Sequence, residues 1–186
     1  MNAGHTTITI DLVLDRSSTQ DVLRAILHAI LFHRLFGLVK PQIFDILEVT
    51  MPGVKDKEIE ALVEKKVDAF TRAIGSGTNK RGQITLTLSE KKQKKGWFQV
   101  YDVFEEVPWE TWIVNAEIRH PKSDREREQL KETLSATLTK AVHTMMVHAS
   151  SEEARDIVPP ITNANEISPF PINVVVSVGG VQVPNS

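Results

Sequence analysis

The chain has no cysteine. That excludes disulfides, thiolate metal sites and a cysteine nucleophile, and it fits a reducing compartment. Long apolar runs are missing too. The longest, Val22 to Phe36, is broken by Arg24, His28, His33 and Arg34, and it falls short of the roughly 20 residues that cross a bilayer. Met1 to Thr7 has neither a basic cluster nor an apolar core, so no secretory leader is read there and a cytoplasmic protein is expected. Neither sign of charge dominates: 22 Lys and Arg against 24 Asp and Glu leave a net charge of -2. This argues against nucleic acid as a partner, because such binders present a broadly basic surface. What remains is ordinary globular chemistry, 41% hydrophobic and 25% charged over 186 residues, read as a single domain spanning 1–186.

Catalytic and metal signatures are also missing. His28 and His33 lie five residues apart, as do His143 and His148. Five residues on a helix point about 140° apart, whereas ligand pairs need a spacing of three or four. No metal site is expected, and His28 and His33 read as polar relief in an apolar helix. Gly75 to Lys80 lacks the spacing of a phosphate loop and follows a helix instead of opening one. There is no GxSxG elbow. No catalytic residue and no cofactor can be nominated, and a non-enzyme is expected.

The pattern that is present reads as alternating helices and strands. Thr7 to Leu14 alternates as a strand. Ser18 and Asp21 resemble a helix start, followed by a helix to Phe36 in which eleven of the fifteen residues from Val22 are apolar. Apolar surface nearly all round requires cover on more than one side, from its own domain or a partner. Gly37 reads as its C-cap. Gln42 to Thr50 is strand-like, and Met51-Pro52-Gly53 is read as a break. Lys57 to Ile74 is amphipathic at helical spacing, and Gln83 to Ser89 alternates. Trp109 to His120 is a further strand. Ser123 and Glu126 form a capping box for a helix over about 124–149. The stretch 150–170 is an irregular connection with several prolines, and Phe170 to Val178 is a valine-rich last strand expected to be buried on both faces. The outcome is an α/β (α+β) fold: three helices packed on one mixed, mainly antiparallel sheet.

Residues 90–106 stand apart. Lys91, Lys92, Lys94 and Lys95 precede Gly96, Trp97 and Phe98, and six of the eleven aromatic residues fall between Trp97 and Trp112. Trp109, Trp112 and Phe104 sit on or near strand pattern and are assigned to the core. Trp97 and Phe98 are adjacent, so in an extended chain they point in different directions. An exposed Trp or Phe suits a partner's pocket. Lysines beside aromatics also suit an anionic membrane surface, so a peripheral membrane or phosphoinositide-binding module with weak membrane contact is the alternative reading.

The segments LRAILHAILFHR (Leu23 to Arg34), QITLTL with its KKQKK-G-WF loop, and EVPWETWIV (Glu106 to Val114) together resemble the autophagy-related protein 101 family, single-domain members of the HORMA fold. The resemblance implies a non-catalytic scaffold of the autophagy-initiation kinase complex, recruited to the phagophore assembly site. It implies pairing with the HORMA domain of autophagy-related protein 13. It also implies recruitment of downstream autophagy factors by an exposed Trp-Phe finger, which Trp97 and Phe98 match here without the proline that many members carry between the two aromatics. Only eight residues follow the last strand, so domain-to-domain pairing is expected instead of the peptide wrapping of other HORMA proteins. The apolar first helix and the outer side of the last helix, with His143, Met146 and Val147, are the candidate contact surfaces.

Overall fold

The computed structural model describes residues 5–75, 80–94, 103–162 and 166–184. Its elements run β1 (Thr6–Asp15), α1 (Thr19–Arg34), β2 (Pro41–Ile46), β3 (Val49–Val54), α2 (Lys57–Gly75), β4 (Arg81–Gln93), β5 (Phe104–Arg119), α3 (Asp124–Ser150), α4 (Glu152–Asp156), β6 (Ile172–Val178) and β7 (Val181–Gln182). A five-stranded sheet is ordered β1-β5-β4-β6-β7. Its β1–β5 pairing is parallel and the others are antiparallel. This is the expected mixed, mainly antiparallel sheet of an α+β, HORMA-like fold.

Strand alternation places one face of this sheet in the core. Ile10, Val114, Ile84 and Val176 form one buried row across four strands. The opposite face carries short polar side chains, including a hydrogen-bonded line from Asp11 through Asn115 to Gln83. The β6 strand obeys the same alternation, with Val174, Val176 and Val178 buried and Val175 half-buried. It is therefore not buried on both faces, as its valine content suggested. Among the described residues, helices cover one side of this sheet only.

The apolar excess of α1 is absorbed within the domain. Its Val22, Leu23, Ala25 to Leu27 and Ala29 to Leu31 are buried, and it packs on α2, α3, β2 and β3. Such all-round burial removes α1 from the candidate partner surfaces. Where α2 meets the sheet, the approach is close: a Cβ on Gly82 would come within 2.4 Å of the Phe70 ring.

The stretch 41–54 departs most from expectation. The sequence pattern predicts one strand ended by Met51-Pro52-Gly53; the structure has a hairpin, β2–β3, forming a separate two-stranded sheet. Pro52 lies opposite Ile43 in the register, and proline is tolerated because the hairpin has open edges. The turn between the strands uses Leu47 (φ 48°) and Glu48 (φ 65°), both left-handed. Neither residue type signals such a turn, which usually selects Asn or Gly. Leu47 packs on the core and its carbonyl accepts the Ser135 hydroxyl of α3 at 3.1 Å. Tertiary anchoring overrides the local preference.

Helix ends also differ from the pattern. Ser18 makes no side-chain cap; Asp15 instead accepts the Ser18 amide at 2.7 Å, while Asp21 pairs with Arg24. The α3 capping residue Ser123 does accept the Glu126 amide, at 3.1 Å. The α1 helix stops at Arg34, with Leu35 extended. Gly37 is not its cap. It lies against the 166–167 backbone, where a Cβ would meet the Glu166 carbonyl at 2.6 Å.

Candidate functional site

The described residues contain no group of three or more potential metal ligands; what they offer is two surfaces and one buried polar cluster. The outer face of α3 is the first. Leu134, Leu138, Ala141 and Met145 form the helix's buried stripe. His143, Met146 and Val147 lie about 100–200° round the helix from Met145. All three are exposed, Met146 by 56% and Val147 by 53%. From Thr133 to Ser150 the helix has no acidic residue. The result is a weakly polar, solvent-facing surface on a rigid element.

Behind that face lies a cluster that the sequence reading did not find. Glu110 of β5 is fully buried and Arg34, at the end of α1, is 2% exposed. Arg34 donates from Nε to Oε1 at 2.8 Å and from a terminal nitrogen to Oε2 at 2.7 Å, a bidentate pairing. Trp112 donates its indole Nε1 to Oε1 at 2.6 Å, and His148 of α3 meets Oε2 through Nε2 at 2.8 Å. A carboxylate can only accept, so His148 carries its proton on Nε2. Four donors from three elements converge on one carboxylate. Arg34 also reaches the Ala154 carbonyl of α4 at 3.4 Å, and its guanidinium lies 5.1 Å from the Trp109 ring centre and 5.6 Å from that of Phe36.

Strand alternation places Glu110 on the core face, in phase with the buried Trp112, Val114, Ala116 and Ile118. Register along β4 and β5 shifts between Leu88 and Ser89: Leu88 faces Glu110 and Ser89 faces Pro108. Trp109 is the extra residue of a bulge, so it alone leaves the alternation and is buried beside Glu110, with its ring against the Arg34 guanidinium. Two signals pointed this way in the sequence: a lone carboxylate between tryptophans, and an arginine ending an apolar helix, each needing a charged partner if buried. His148 also sits about 60° from Met145, toward the buried stripe.

The third region is the arm made by the ends of β4 and β5. Trp97 and Phe98 lie outside the described residues. At the arm's root Lys91 faces Glu106 and Lys92 faces Glu105 across the ladder, and Lys92 bonds to Glu90 at 2.6 Å. These lysines are therefore interleaved with carboxylates and do not form a purely basic patch. Phe104, expected in the core, is 58% exposed, because it lies beyond the bulge where the arm leaves the body of the sheet. Trp109 and Trp112 are buried, as expected. No helix among the described residues is long and apolar enough to cross a membrane.

The family profile described as Autophagy-related protein 101 matches residues 11–165 of this sequence. The chain belongs to the autophagy-related protein 101 family. Curated relatives of that name include one from Schizosaccharomyces pombe, 29% identical over 174 residues, covering 94% of this chain and 89% of the relative. One from Arabidopsis thaliana is 28% identical, covering 88% and 84%. The Homo sapiens relative is 24% identical, covering 72% of this chain and 66% of its own length. Membership of this family associates the chain with autophagy. The matched span includes Arg34, Glu110, Trp112 and His148, together with the exposed α3 face.

Proposed function

We propose that this chain is a non-catalytic scaffold subunit of the autophagy-initiation kinase complex. In this reading it pairs with, and stabilises, the HORMA domain of autophagy-related protein 13. It then recruits downstream factors at the phagophore assembly site through Trp97 and Phe98. The observation that carries the proposal is the family match over 11–165. The exposed His143, Met146 and Val147 on the acid-free half of α3 support domain-to-domain pairing there, since weakly charged surface with Met suits an interface centre.

Co-expression with that HORMA domain tests the pairing. Co-purification at one-to-one stoichiometry is expected, and separate elution of two folded proteins would sink it. Replacing both Trp97 and Phe98 by alanine is expected to leave folding and pairing intact and to abolish downstream recruitment. A double variant that unfolds would instead make the two aromatics part of the core.

A further inference from the structure

We infer that Glu110, acting through His148, is the positioning residue of the α3 partner surface. The inference rests on the α3 pairing proposed above. His148 leaves the inner side of the helix within five residues of His143, Met146 and Val147, so whatever fixes its ring fixes the pitch and height of that surface. Nothing else polar on the final turns of α3 reaches the sheet among the bonds described. Ser150 and Ser151 bond back to their own helix, at the carbonyls of Met146, Val147 and His148. The Trp112 and His148 rings meet edge to face at 5.6 Å, which holds the imidazole from its side.

Glu110 is itself held in place by its surroundings. It is fully buried, and Arg34 and Trp112 hold it from two other directions. The Nε2–Oε2 contact therefore transmits a fixed coordinate from the sheet to the end of α3. The adjoining α4 corner is tied to the same node by the bond from Arg34 to the Ala154 carbonyl. Ser135 ties the middle of α3 to Leu47, but at the end of the helix apolar contact alone would leave the His148 ring free to turn. A directional bond to a buried carboxylate does not.

Three full-chain variants test this, each followed by backbone hydrogen exchange and by affinity for the HORMA domain of autophagy-related protein 13. His148→Leu keeps bulk and removes the donor. It is expected to speed exchange across residues 143–150 by about tenfold or more and to weaken pairing by a similar factor, with α1 and the central strands unchanged. His148→Gln, which retains a donor at comparable reach, is expected to restore most of both. Met146→Asp alters the surface without touching the cluster and is expected to abolish pairing with normal exchange. Unaltered exchange in His148→Leu would overturn the positioning role. So would unaltered pairing in His148→Leu where Met146→Asp abolishes it, or a His148→Gln variant as impaired as the leucine one. Unaltered pairing in Met146→Asp would instead overturn the α3 surface and the pairing half of this inference.

Discussion

The buried ring of His28 accepts the Val54 amide through Nδ1 at 3.3 Å, joining the middle of α1 to the end of β3. The same ring lies 4.9 Å from that of Phe44 on β2. Accepting through Nδ1 requires the neutral imidazole with its proton on Nε2. What the sequence offered as polar relief in an apolar helix is a link between helix and hairpin.

A pH dependence follows from this bond. Burial holds the His28 pKa below its ordinary value, with Arg24 acting in the same sense and Glu60 and Glu64 opposing. The unfolded chain therefore takes up a proton first as pH falls. His28 contributes its stability above the ordinary histidine value of about 6.5, and that contribution is lost as pH drops toward and through the lowered folded value. Urea unfolding at pH 7.5 and 5.5 should show lower stability at the acid end, and His28→Gln, which can still accept, should flatten that difference. An equal slope in the variant would exclude His28 as the source.

The Leu47-Glu48 turn should respond oppositely at its two positions. Glu48→Gly relieves a left-handed backbone and is expected to stabilise by about 0.5–1 kcal/mol. Leu47→Gly relieves the same kind of conformation but removes a side chain packed on the core, so a net loss is expected. Thermal melts of the two variants decide it; the same sign in both would refute the distinction.

Arg34→Met leaves the Glu110 carboxylate buried without its main partner and is expected to cost about 3–5 kcal/mol. Adding Glu110→Leu to it should cost much less than the two single changes summed, since the second change removes the stranded charge. Additive losses in a denaturant double-mutant cycle would contradict a coupled pair.

Gly82→Ala should be destabilising by about 1–3 kcal/mol, because the new methyl meets the buried Phe70 ring. Phe70→Leu is expected to be more tolerant of that alanine than the parent chain. Equal penalties in both backgrounds, read by chemical denaturation, would place the strain elsewhere.

Much of the fold was legible because its signals are local. Alternation marked β1, β4 and the centre of β5, helical spacing marked α2 and α3, and the Ser123 box marked where α3 starts. The β2–β3 hairpin was not legible. Leu47 and Glu48 carry no turn chemistry, and the hairpin forms because α1 and α3 give its inner face and its tip somewhere to pack. The outer residues of α3 could be named from spacing alone, since exposure follows from being off the buried stripe. Nothing in spacing could say which carboxylate His148 would meet, because Arg34, Glu110 and His148 are separated by 76 and 38 residues.

The lack of cysteine and of any long apolar run, the balanced charge and the strand and helix periodicities were determined by the sequence itself, as was the family resemblance through Glu106 to Val114. Tertiary structure alone decided three things: that the apolar α1 helix is spent inside the domain, that Phe104 faces solvent, and that Arg34 and His148 meet the Glu110 carboxylate in the core. The physical reason is common to all three. Periodicity reports which side of an element is apolar, but burial of a charge or exposure of an aromatic depends on what other elements bring to that side.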